Sequence, residues 1–165
     1  MSVFCLSTNL AYAEKINLAP GESYTLKTQE NIDTVFVSAA EIADYEIIGN
    51  SSVIFYAKKE GLAEFTVFNK NNDPIIKTIV IVDSIIRDAD NRIRAEYPDS
   101  NIVIQKIGNS YILTGTAPTE ESKNVILEII GEAAAKDKKT ANKNSYMNDN
   151  IYDGIINRIK LPMSN

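Results

Sequence analysis

The first half of the chain alternates apolar and polar residues in short runs, the pattern typical of β-strands. These runs occupy residues 16–18, 23–27, 34–37, 45–48, 53–56, 64–68 and 75–82. Turn-forming sequences such as Pro20-Gly21 and Gly49-Asn50-Ser51 separate them. Residues 39–43 interrupt the pattern and favour a short helical turn. Short strands at regular spacing predict a small, mainly-β, sandwich-like domain, with the last strand in a central position because its apolar residues alternate onto both faces.

From Asp83 onward the apolar period lengthens from two residues toward 3.6, which predicts a helix that ends at Pro98. Residues 102–107 and 111–116 predict a hairpin across Gly108-Asn109-Ser110. A second helix is expected after Pro118. The predicted buried stripe of the first helix is Ile85, Ile86, Ala89, Ile93 and Tyr97, and that of the second is Val125, Ile126, Ile129, Ile130, Ala133 and Ala134. Residues 83–135 therefore predict an α-β-β-α domain, which makes the whole chain α+β.

The two ends of the chain carry different signals. Residues 1–13 hold a modest apolar patch that ends in Ala11-Tyr12-Ala13, a pattern typical of signal-peptidase sites, so we expect a truncated signal peptide and a mature domain at 14–82. The alternative is an ordinary N-terminal segment, and the residues before Cys5 do not favour lipidation. Residues 136–150 are rich in Lys and Asn and predict a flexible loop. Residues 151–165 predict a C-terminal strand.

Composition excludes several classes of function. The net charge of −5 and the sequence pI near 4.8 disfavour binding to a phosphate backbone. With no histidine and a single cysteine, the chain lacks histidine-based catalysis, Cys-His nucleophiles and zinc clusters. No apolar run approaches the roughly 18 to 20 residues of a membrane-spanning helix.

Few side chains suggest chemistry. Glu41, Asp44 and Glu46 bring three carboxylates close in sequence, but they lack the spacing of a calcium-binding loop, so a solvated turn is favoured over a cation site. Asp88 and Asp90 lie among arginines on the first predicted helix and are interpreted as surface ion pairs. We therefore predict no catalytic, cofactor-binding or metal-binding residues, no cofactor and no enzymatic activity.

Two stretches of sequence resemble known families. Val35-Phe36-Val37-Ser38 followed by Glu41-Ile42-Ala43-Asp44, with Gly21 before them and Gly61 before a Thr-Val strand, resembles the N-terminal pilus-formation domain of secretins of tight-adherence (Flp-type) pili. A bacterial immunoglobulin-like module gives a similar string and is the structural alternative. The 83–135 pattern, with Gly115 at the end of its second strand, resembles a BON domain. This order of domains is the one found in pilus secretins.

The resemblance implies a non-enzymatic structural component of a pilus assembly or type II-like secretion apparatus. It implies a periplasmic location at the outer-membrane secretin complex, secretin subunits or other machinery proteins as partners, and weak or conditional self-association. In this interpretation residues 151–165 lead toward a secretin pore module that the sequence lacks. The alternative function is a free-standing envelope binding module whose BON-like domain docks on phospholipid or on envelope protein.

Overall fold

The computed structural model describes residues 11–12, 15–141 and 154–163. The chain divides into two compact units, Met1–Ser84 and Ile85–Asn165, next to the change of apolar period at Asp83. The architecture is mixed α+β, with mostly strands and two helices, as the sequence predicts. Most of the predicted signal peptide and of the predicted loop at 136–150 lies outside the described residues.

Strands account for nearly all of the regular structure in the first unit. They are β1 Ala11–Tyr12, β2 Ile16–Leu18, β3 Ser23–Lys27, β4 Thr34–Val37, β5 Ala43–Ile48, β6 Ser52–Ala57, β7 Gly61–Phe68 and β8 Pro74–Val82. Each predicted run contains a strand, and β7 begins three residues earlier than expected. The sequence pattern did not predict β1, which pairs in parallel with Ile76 and Lys77 of β8.

The strands of the first unit form two sheets. β8 is central in the larger sheet, because it pairs with β7 on one side and with β1 and β2 on the other, while β4 lies at the edge beyond β7. The smaller sheet has the order β3-β6-β5. Phe55 of β6 and Phe65 of β7 pack with ring centroids 4.5 Å apart, and Tyr45 of β5 meets Phe65 edge-on at 6.4 Å. These contacts join the two sheets across a common core, which is the sandwich-like arrangement that the pattern predicts.

The predicted helical insert at residues 39–43 is a single hydrogen-bonded turn. The N–H groups of Ile42 and Ala43 both donate to the carbonyl of Ala39, at 3.1 and 3.2 Å. Ala43 is completely buried and already begins β5. The expected short helical turn is thus present, and it ends before Ala43, one residue earlier than predicted.

The second unit follows the order helix, hairpin, helix and strand. Its elements are α1 Ser84–Glu96, β9 Asn101–Ile107, β10 Ser110–Thr116, α2 Glu120–Ala141 and β11 Ile155–Lys160. Thr119 caps α2 reciprocally: Thr119 Oγ1 accepts the N–H of Ser122 at 3.1 Å, and Ser122 Oγ accepts the N–H of Thr119 at 3.0 Å. α2 extends to Ala141, so the first residues of the predicted loop are helical.

One three-stranded sheet, in the order β11-β10-β9, supports the second unit. β10 runs antiparallel to β9 and parallel to β11. The predicted C-terminal strand is present as β11, and it is the third strand of this sheet, a pairing that the sequence did not predict. The core of this unit comprises one face of the sheet and the inner faces of the helices, and its buried residues include Ile86, Ala89, Ile93, Ile104, Tyr111, Leu113, Ile126, Ile129, Ile130 and Ile159.

Candidate interaction surfaces

The three clustered carboxylates lie on the surface of the first unit. Asp44 Oδ2 lies 3.6 Å from Lys58 Nζ, and Asp44 Oδ1 accepts the N–H of Tyr45 at 2.9 Å. Glu41, in the turn, and Glu46, on β5, are both exposed. Within the described residues, no group of three or more His, Cys, Asp or Glu side chains is placed to hold a metal ion. The arrangement is that of a solvated acidic surface with one ion pair.

Ion pairs cover the outer surface of α1. Arg87 contacts Asp88 at 2.8 Å, Arg94 contacts Asp90 at 3.0 Å, and Arg92 reaches Glu132 of α2 at 2.9 Å. Asp88 and Asp90 are therefore in ion pairs, as the sequence indicates. Exposed pairs of this kind contribute at most about 1 kcal/mol each. Of these three pairs, Arg92–Glu132 joins the two helices, while the other two lie within α1.

The two parts of the pilus-type sequence pattern meet in space. The carbonyl of Ile42 accepts the N–H groups of Lys58 and Lys59, at 2.8 and 3.3 Å. Ser38 and Glu64 exchange two hydrogen bonds: the N–H of Ser38 donates to the carbonyl of Glu64 at 3.0 Å, and Ser38 Oγ accepts the N–H of Glu64 at 2.8 Å.

Gly61 explains why the pattern needs a glycine before its Thr-Val strand. Its φ is +146°, and a Cβ added there would lie 2.5 Å from Cδ1 of Ile42. The turn that contains Ile42 thus packs directly on the glycine. The pattern encodes a docked turn that joins the two sheets, so these residues serve the fold.

Phe36 and Leu62 are exposed on the outer face of the larger sheet, where Glu64 and Lys77 are exposed as well, and we call these two apolar side chains the outer apolar surface. Phe36 is 57% exposed and Leu62 is 48% exposed. Phe36 pairs with Thr66, and Leu62 pairs with Ile81, so both side chains point away from the core. The sequence predicts a strand at 34–37, but it does not by itself say which of the apolar residues faces the core. Strand alternation decides this, because Val35 and Val37 face the core and Phe36 must then face outward.

A second surface, the open sheet face, lies on the second unit. We define it by the outward positions of β9, β10 and β11. Ile107 is 61% exposed, Val103 and Ile156 are also exposed, and Ile112 is half-buried. Arg158 and Lys160 lie on the same face. The intervening residues face the helices, so among the described residues of this unit the open sheet face is the exposed side of the sheet.

Within the part of the chain that the structure describes, no helix is both long and apolar enough to cross a bilayer.

Comparison with known proteins supports the identity of the first unit. Residues 12–83 match the family described as "Pilus formation protein N terminal region". The chain is also similar to "Uncharacterized protein y4xJ" of Sinorhizobium fredii (strain NBRC 101917 / NGR234), with 27% identity over 123 residues. That similarity covers 72% of this chain and 29% of the relative. The chain therefore matches less than a third of the length of this relative.

These matches have different extents. The family match ends at Asp83 and so covers the first unit alone. The similarity to the Sinorhizobium protein spans more residues than the first unit contains, so it reaches into the second. The resemblance of residues 14–82 to a pilus or secretin N-terminal region is thus supported by the match over residues 12–83. The BON-like interpretation of residues 83–135 stays a prediction.

Proposed function

We propose that this chain is a non-enzymatic, periplasmic component of a pilus assembly or type II-like secretion apparatus, equivalent to the N-terminal part of a Flp-type pilus secretin. The family match of residues 12–83 carries this proposal. The docked turn at Ile42 and Gly61 supports it, because it gives the family-type pattern a single structural purpose. The second unit is, in this proposal, the BON-like domain that follows the first in pilus secretins. Its partners are secretin subunits and other proteins of the machinery.

The exposed side chains fit an assembly role better than a role in lipid binding. The outer apolar surface at Phe36 and Leu62 is suited to contact with a neighbouring protein. The alternative, a free envelope module that docks on phospholipid, would rely on the open sheet face. Its two cations, Arg158 and Lys160, supply only about 2 kcal/mol at about 1 kcal/mol for each cation near an anionic membrane. Stable docking on lipid usually takes a larger basic cluster.

Export is the first requirement of this proposal. Intact-mass measurement of the chain from the periplasmic fraction should give a form that begins at Glu14, since Ala11-Tyr12-Ala13 has the pattern of a cleavage site. This form lacks β1 but keeps the parallel pairing of β2 with β8. A cytoplasmic chain that retains Met1 would contradict the periplasmic assignment.

Recruitment into rings is the direct test. The chain fused ahead of a pilus secretin pore module should assemble into rings, while the chain without the module should sediment as a monomer at micromolar concentration. Phe36→Asp should weaken assembly, because it places a charge in the outer apolar surface without touching the core. Thr25→Asp is a matched control on an exposed position of the smaller sheet. Equal assembly of the fusion and of both variants would exclude a role for this surface, and failure of every folded fusion to form rings would refute the proposed function.

A further inference from the structure

The open sheet face carries charge of only one sign. Its outward positions hold apolar residues at Val103, Ile107, Ile112 and Ile156, together with Arg158 and Lys160 at the β11 side. The remaining outward positions are Asn, Gln, Ser and Thr, and none is acidic. In a chain of net charge −5, this absence of acidic residues makes the face distinct from the rest of the surface. Among the described residues, neither Arg158 nor Lys160 forms an ion pair.

The outer side of α2 in the same unit carries the opposite charge. Glu121, Asn124, Glu128 and Glu132 follow one another at helical spacing on a single face of the helix, and all four are exposed. Glu132 pairs with Arg92, but Glu121 and Glu128 project from the row on either side of Asn124. We call these four residues the acidic row. The helices cover the other side of the sheet, and Asn124 and Glu128 line a pocket together with Ile155 and Asn157 of β11, so the acidic row borders the β11 edge on the helix side of the sheet.

We propose that the open sheet face of one copy binds the acidic row of a second copy. The contact pairs Arg158 and Lys160 with Glu121 and Glu128, and it covers the exposed isoleucines with the outer side of a helix. It uses two different surfaces, so each bound copy still presents one surface of each kind, and the contact closes into a ring if the rotation between copies permits. This inference rests on the proposed function and names the contact that would hold neighbouring subunits together.

The dimensions of the face indicate how strong the contact is. Three strands spaced about 4.8 Å apart, each about six residues long at about 3.3 Å per residue, give a face of about 300 Å². Stable interfaces bury about 800 Å² on each partner. The contact is therefore weak between free copies and becomes populated when an assembly holds copies at an effective concentration of about 1 mM. A membrane is a poorer occupant, since lipid-binding segments usually present about four to eight basic residues.

Charge exchange between two full-length variants tests the proposal. The first variant is Arg158→Glu with Lys160→Glu, and the second is Glu121→Lys with Glu128→Lys. Sedimentation of the wild-type chain at about 1 mM, the effective concentration of tethered copies, should show association that weakens with salt. Each variant alone should associate at least about tenfold more weakly, because like charges then face each other. An equimolar mixture of the two variants should recover association. When the two variants alternate, the reversed sheet face of the first meets the reversed row of the second, and the original sheet face of the second meets the original acidic row of the first.

Matched controls separate this contact from effects of net charge or folding. Lys59→Glu with Lys70→Glu, and Glu41→Lys with Glu46→Lys, make the same changes in net charge on the first unit and should associate like the wild type. Far-ultraviolet circular dichroism should show that every variant is folded. In a parallel arm, vesicles of phosphatidylglycerol and phosphatidylethanolamine should bind the wild type no better than the first variant.

Three results would overturn the proposal. The first is that the wild-type chain shows no association at about 1 mM, and the second is that the two variants associate as well as the wild type. The third result is an equimolar mixture of the two variants that does not recover association. Vesicle binding that only the Arg158 and Lys160 variant loses would assign the face to lipid instead. If fused chains still form rings while the mixture fails to recover, this contact is wrong and the proposed function stands.

Discussion

Replacing Gly115 with alanine should destabilise the second unit by about 3 kcal/mol. Gly115 has φ +110°, a conformation that costs an L-residue about 1 to 3 kcal/mol. An added Cβ would also overlap the backbone carbonyl oxygen of Asn101. The backbone cannot easily move to relieve this overlap, because Gly115 pairs with Ile102 on one side and with Ile159 on the other. Any shift of residue 115 therefore disturbs the hydrogen bonds to both neighbouring strands.

A loss of about 3 kcal/mol is a large part of the free energy of unfolding of so small a unit. A domain of about 80 residues is stable by about 4 to 12 kcal/mol, so Gly115→Ala removes a quarter or more of the total. Urea unfolding combined with hydrogen exchange read separately for each unit measures it, and the first unit should be unaffected.

Gly108→Ala is the matched control in the same hairpin. Gly108 also has a positive φ, +59°, but nothing lies within 4 Å of an added Cβ. Alanine there should cost about 1 kcal/mol, the ordinary penalty of a left-handed L-residue. If Gly115→Ala lowers the free energy of unfolding no more than Gly108→Ala does, then β9 does not approach β10 as closely at this point as the structure shows.

Three further experiments test the core packing of the two units and the cap of α2. Ile129→Asp places an unpaired charge in the buried stripe of α2 and should unfold the second unit. Hydrogen exchange should then show that the second unit has lost its protection and that the first unit has kept it. Loss of protection in both units at once would contradict their independence. Thr119→Ala should cost about 1 kcal/mol through loss of the α2 cap while Thr119→Ser costs little, and equal losses would exclude the capping role. Phe65→Ala should lower the free energy of unfolding by about 3 to 5 kcal/mol, and Phe36→Ala should lower it by less than about 0.5 kcal/mol, as measured by thermal unfolding. The reverse order would show that Phe36, and not Phe65, lies in the core.

The period of the apolar residues predicted the strands and helices that pack a whole face against a core. The alternation of Thr78, Val80 and Val82 against Lys77, Ile79 and Ile81 identified a central strand, and β8 pairs on both sides. The helical stripe through Ile126, Ile129 and Ile130 is likewise buried. Such patterns are readable because burial of a whole face requires a regular repeat.

Features that depend on distant partners were missed. β1 has only two residues, and its pairing with Ile76 and Lys77 is set by a strand more than sixty residues away. β11 joins its sheet by pairing with β10, which no local pattern around residues 155–160 indicates. α2 runs on to Ala141 because Lys and Ala favour a helix even where no apolar stripe remains.

The candidate surfaces were the least predictable part. Phe36 belongs to an apolar run, and only its alternation with Val35 and Val37 signalled that it faces outward. The open sheet face could not be recognised before β11 was known to lie beside β10, because Arg158 and Lys160 join Val103 and Ile107 only through that pairing.

The central claim is that this chain is part of a pilus secretin complex, and quantitative mass spectrometry of isolated complexes tests it most directly. Secretin complexes would be purified from the outer membrane of the bacterium that makes the chain, and peptides from both units would be counted against peptides of the pore module. The account predicts peptides from residues 15–141 in equal molar amounts to those of the pore module. Complexes that form normally without any peptide of this chain, with the chain recovered elsewhere in the cell, would contradict it.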